Sequence, residues 1–210
     1  MPIHPNFPFP LYLVISEEAC IHQPWLQVAE EAIYGGVDII QLREKDMSYD
    51  QFLDHAKQLK ALCDKHAVPL IINDQVEIAK EVASWGIHVG QSDTSPIEIR
   101  EKLGDSIQIG WSLEVLDQLD DSQIQAVNHL GVSPIYQTKT KTNTITEWGL
   151  DGLQQIRQLT NLPLIAIGNM NMDTAAATYN AGADSIAVVS AICSSPNPRS
   201  AAESLKALLI

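Results

Sequence analysis

Positive charge is scarce in this chain: 13 Lys and Arg stand against 26 Asp and Glu, a formal net charge of −13. A field of that sign repels nucleic acid and anionic membrane surfaces, so neither is expected as a partner. Cysteine is scarcer still. Cys20, Cys63 and Cys193 are odd in number and far apart in sequence, which fits neither a disulfide framework nor a Cys-x-x-Cys metal clamp. Reduced, buried thiols in a cytoplasmic setting are the expectation. No apolar run approaches the ~20 residues that span a bilayer. The N-terminal stretch carries Pro2, Pro5, Pro8 and Pro10 without a basic segment or a long apolar run, so it does not read as a secretory signal. A glycine-rich turn after the first apolar run is missing too, which speaks against an open dinucleotide-binding sheet. No linker or shift in composition divides the chain. Residues 1–10 therefore read as a proline-rich arm and residues 11–210 as one domain.

What the chain does have is 45% hydrophobic content over 210 residues, enough for one sizeable core. Leu11–Ile15 is a continuous apolar run of the kind that a strand buried on both faces needs. Pro24 then opens a helical spacing of apolar residues that Gly35-Gly36 stops. The alternation repeats, with strand-like runs at 37–42, 69–72, 87–89, 107–111, 130–132, 163–167 and 185–189. Ser48 and Gln51 form a capping box before the second helix, and Asp74 and Glu77 repeat its spacing before the third. Ser95-Pro96 starts a helix closed by Gly104, and Asn197-Pro198 starts the last one. The acidic stretch 113–127 is also read as helix. Eight strands alternating with helices in one α/β domain is the period of a (β/α)8 TIM barrel.

In such a barrel the functional groups sit where strands end at the carboxyl face. The second strand runs into Gln41-Leu42-Arg43-Glu44-Lys45, and a period of two puts Gln41, Arg43 and Lys45 on one side and Leu42 and Glu44 on the other. The third ends at Asn73-Asp74, the fourth runs to Asp93, and the fifth ends at Ser112. After the sixth comes a loop that crowds three hydroxyls and two ammonium groups into Thr138, Lys139, Thr140, Lys141 and Thr142. Such a cluster suits a phosphate or pyrophosphate, although a solvated turn has the same composition. Gly168-Asn169 and Val189-Ser190 follow the last two strands. Asp74 and Asp93 supply the hard oxygens that Mg2+ takes. Asp74 is equally suited to a helix cap, Arg43 to a structural ion pair, and Gln41 to filling the barrel.

Taken in order, 41–45, 72–74, 86–93, 110–112, 134–141, 165–168 and 181–192 resemble the motifs of thiamine phosphate synthases. The resemblance implies a (β/α)8 barrel that uses Mg2+ to join an aminopyrimidine diphosphate to a thiazole phosphate with release of pyrophosphate. It implies that Gln41, Leu42, Arg43, Glu44, Lys45, Asn73, Ser112 and Lys141 contact the pyrimidine diphosphate, with Arg43, Lys45, Ser112 and Lys141 as the catalytic groups. Asp74 and Asp93 are implied as metal ligands, and Thr138, Lys139 and Thr140 as the bridge between the substrates. Gly168, Asn169, Val189 and Ser190 are implied around the thiazole phosphate. The partners are small molecules, and a homodimer is left open.

Three positions depart from the family pattern: Ser133 and Asn169 stand where glycine is usual, and Glu114 where histidine often follows the serine. Two rivals share the barrel. A thiazole tautomerase paralogue lacks the metal aspartates and carries histidine where this chain has Pro134. A non-catalytic barrel that binds a phosphorylated ligand is the other.

Overall fold

A computed structural model describes residues 4–137 and 146–209. Eight parallel strands close into a barrel in sequence order, with β1 pairing both β2 and β8. They are β1 Leu11–Ile15, β2 Ile39–Leu42, β3 Leu70–Asn73, β4 Gly86–Val89, β5 Gln108–Leu113, β6 His129–Val132, β7 Leu164–Ala166 and β8 Ser185–Val188. The helices are α1 Trp25–Tyr34, α2 Tyr49–Lys65, α3 Val76–Glu81, α4 Pro96–Leu103, α5 Gly149–Leu159, α6 Ala175–Asn180, α7 Ser190–Cys193 and α8 Pro198–Ala207. Strand residues of alternate parity form two cores. Leu13, Leu42, Ile72, Leu130 and Val132 face the helices, while Tyr12, Ile39, Ile71, Ile165 and Ala187 face the barrel axis.

The local signals behave as their chemistry requires at Ser48 and Ser95, whose hydroxyls accept the Gln51 and Glu98 amides. The spacing at Asp74 and Glu77 misleads. Helix α3 begins after Gln75 without a side-chain cap, and Asp74 is held left-handed at φ 62 with its carboxylate turned to Lys45. The stretch 113–127 is not one helix but two 3-10 turns, Leu116–Asp120 and Ser122–Ala126. Short-range side-chain bonds divide it: Gln118 Oε1 takes the Glu114 and Val115 amides, and Asp121 takes that of Gln123. Helix α7 spans a single turn, too short to show a period. Cys20 and Cys193, distant in sequence, come together as free thiols, and the Cys193 Sγ donates to the carbonyl of Val14 at 3.7 Å.

At the amino-terminal face, three strand pairs are joined in the same way. Asp38, Asn128 and Asp184, each just before an even-numbered strand, accept the amides of Leu11, Ile109 and Leu164 in the preceding one. A helix cation then grips each acceptor: Lys206, Arg100 and Arg157. The segment before β1 closes this end of the barrel. Phe7 is 1% exposed and lies against Phe9, Tyr12, Trp85 and His129. The opposite, carboxyl-terminal end is left open for a site.

Candidate active site

A cavity of about 1050 Å³ opens at the carboxyl ends of the strands and descends into the barrel. Gln41, Arg43 and Lys45 line it, as the period of two requires, and Asn73, Asp74, Asp93 and Ser112 join them. Gly168, Asn169, Val189 and Ser190 form the wall on the β7–β8 side. Leu42 and Glu44 do not line this cavity. The Leu42 side chain is fully buried among the helix-facing residues, and Glu44 accepts the Glu17 amide and sits 3.6 Å from His55. Thr138, Lys139, Thr140 and Lys141 lie outside the described residues, while Ser133 and Gln137, which lead up to them, border the cavity.

At the rim, Lys45 Nζ donates to Asp74 at 2.6 Å and the Asp74 amide binds the carbonyl of His88. Asp93 folds back to accept the Gly90 amide at 2.8 Å. Burial pushes the Asp93 carboxyl up. The Gly90 bond opposes this, and the negative charge of neighbouring Asp74 adds to it. Two neighbouring carboxylates repel each other, a cation relieves the repulsion, and both offer the hard oxygens that Mg2+ prefers. Among the described residues no third His, Cys, Asp or Glu completes a cluster. The set therefore fits a divalent ion whose remaining positions go to water and phosphate oxygens, the usual arrangement for Mg2+.

The turn after β7 depends on backbone geometry. Gly168 has φ 111, and a Cβ there would lie 2.7 Å from that of Pro134. Asn169 occupies the left-handed region at φ 54, which asparagine tolerates better than most residues. Its carbonyl accepts from the Thr174 hydroxyl, so the turn is braced from α6.

Sequence reasoning overlooked two polar residues below the rim, His88 and Tyr12, which bond to the expected site residues Ser112 and Gln41. His88, on β4, reaches Ser112 Oγ through Nε2 at 3.1 Å, and Gln41 Nε2 donates to the Tyr12 hydroxyl at 2.6 Å. Burial raises the Tyr12 phenol well above its ordinary range, so it stays protonated. The signal was present: a polar residue flanked by Ile87 and Val89 in a strand must face inward when those two face the helices.

A family model for thiamine monophosphate synthase matches residues 11–192. The chain belongs to the thiamine monophosphate synthase family. A thiamine-phosphate synthase of Albidiferax ferrireducens is 42% identical over 199 residues, 95% of this chain and 91% of that protein. One from Leptospira biflexa is 40% identical over 201 residues, covering 93% and 95%. Among solved structures, a thiamine phosphate pyrophosphorylase from Pyrococcus furiosus superposes with a TM-score of 0.86 at 26% identity, over 96% of this chain and 95% of that one. This chain places its strand-end groups around one barrel mouth. No helix among the described residues is long and apolar enough to cross a membrane.

Proposed function

We propose that this family member condenses 4-amino-2-methyl-5-(diphosphooxymethyl)pyrimidine with a thiazole phosphate, giving thiamine phosphate and pyrophosphate. The observation that carries the reading is the rim itself: Arg43 and Lys45 stand beside the Asp74–Asp93 carboxylate pair at the mouth of one cavity. In the reaction the methylene–oxygen bond to the diphosphate breaks and a bond to the thiazole nitrogen forms. Arg43 and Lys45 bind the departing diphosphate and offset the charge that develops on it, a task suited to groups held in place beforehand. Asp74 and Asp93 would hold Mg2+, which supplies further neutralisation of phosphate charge when bound.

Ser112 and Asn73 orient the pyrimidine diphosphate along the β3–β5 wall, and the thiazole phosphate rests against Gly168, Asn169, Val189 and Ser190. Thr138, Lys139, Thr140 and Lys141 extend this reading from the sequence. Incubating the protein with both substrates, with and without Mg2+, tests the reading. Thiamine phosphate should form only when both substrates and the metal are present. A tautomerase or a passive phosphate binder would form none.

A further inference from the structure

Glu44 stands in sequence between the two cations of the rim, yet it sends its side chain the other way. The carboxylate lies behind the cavity wall, 5% exposed, and its Oε1 accepts the Glu17 amide at 2.8 Å. The register of β1 and β2 shows what that bond replaces. Ile15 lies opposite Leu42, and the Arg43 amide donates to the Ile15 carbonyl at 2.9 Å. In a regular parallel ladder the next bond would run from the Glu17 amide to the Arg43 carbonyl. The Glu44 carboxylate takes that amide, so a side chain supplies the link between the two strand ends.

The link is backed by two helices. His55 of α2 sits 3.6 Å from Glu44 Oε1 and stacks on Trp25, the first residue of α1, with ring centroids 4.5 Å apart. The flanking cations go elsewhere: Lys45 donates to Asp74, and Arg43 lines the cavity. The turn that Glu44 holds is itself part of the wall, for Ser16, Glu18 and Ala19 line the same cavity. The Ser16 hydroxyl accepts the Ala19 amide, and the Ala19 carbonyl accepts from the Ser194 hydroxyl at 3.1 Å, at the end of α7. The turn is thus tied to α7 on one side and to the end of β2, through Glu44, on the other. Groups that stabilise developing charge act only if held in place beforehand, and a misplacement of about 1 Å can cost up to about 100-fold in rate.

We propose that Glu44 is a positioning residue for the diphosphate site: its carboxylate holds the end of β2 to the turn after β1, and so fixes the directions from which Arg43 and Lys45 meet the diphosphate. The inference rests on the proposed synthase reading. Three variants separate reach from charge. Glu44→Gln keeps an acceptor oxygen at the same length and loses the charge, whereas Glu44→Asp keeps the charge and is too short to hold the amide without moving the chain. Glu44→Ala has neither. Turnover at saturating substrates should fall about tenfold or more in Glu44→Ala and Glu44→Asp, and Glu44→Gln should keep most of what they lose. Pyrophosphate binding with Mg2+, measured by calorimetry, should weaken in the same two variants and not in Glu44→Gln. Melting temperatures should drop only slightly, because Glu17 is exposed and its amide can turn to water. If Glu44→Ala fails to fold, the contrast between Glu44→Gln and Glu44→Asp decides alone. An active parent with Glu44→Gln as impaired as Glu44→Asp, or with parental pyrophosphate binding in Glu44→Asp, overturns the inference and leaves the synthase reading standing. A parent that makes no thiamine phosphate overturns both.

Discussion

At position 74 the backbone is left-handed, φ 62, and asparagine accepts that conformation at least as readily as aspartate. The Asp74 carboxylate pairs with a half-exposed Lys45, so its loss costs little stability. Asp93 holds the Gly90 amide through one oxygen, and an amide oxygen can take over that bond. Asp74→Asn and Asp93→Asn should therefore melt within a few degrees of the parent, yet need far more Mg2+ or lose most activity. Melting curves beside a Mg2+ titration of product formation decide this. An unshifted requirement would return both residues to a structural role. The residue scale also sets an acid limit. The His129 pKa is depressed in the folded protein to about 3, so between there and its ordinary value of about 6.5 the unfolded chain binds a proton that the native state refuses. The stabilising contribution is complete above about pH 6.5 and falls as pH drops, by up to about 1.4 kcal/mol per unit. Denaturant midpoints measured between pH 4 and 7 should fall less steeply with acid in His129→Leu than in the parent. Parallel curves would contradict the buried neutral state.

Strands β4, β5 and β6 act as a unit through the His88–Gly110–His129 row. Gly110→Ala should destabilise the parent by about 1–3 kcal/mol, as overpacking does in a closed interior. It should cost clearly less in a His129→Ala background, because the clash at 2.2 Å is with that imidazole. Equal costs in a double-mutant cycle by chemical denaturation would show that the glycine is needed for another reason. The same scale explains what could be read locally. The capping box at Ser48 was legible because both partners lie within one turn of the helix. Asp74 was not, because the group that captures its carboxylate, Lys45, comes from the turn after β2, 29 residues away. The stretch 113–127 failed for a third reason: Gln118 and Asp121 take backbone amides that a continuous helix would have needed.

Across the whole molecule the two ends of the barrel divide the work, with chemistry at the carboxyl ends of the strands and cohesion at the amino ends. Asp184 belongs to the second: it accepts both the Leu164 amide and Arg157, with its side chain 16% exposed. Asp184→Ala should lower stability by about 1–3 kcal/mol, since two donors lose their acceptor, while kcat and both KM values stay at parental levels. A selective change in KM would show that the ends are coupled. The sequence by itself determined the eightfold alternation, the parity that sends Gln41, Arg43 and Lys45 inward, and the collection of charge at strand ends. These follow from backbone geometry, whose periods are written into neighbouring residues. Tertiary structure alone decided that Phe7 plugs the barrel, that Lys45 meets Asp74, that Gly110 clears a space for two imidazoles, and that His129 is left unmet. Each depends on which distant strands become neighbours when the barrel closes, and no local period carries that information.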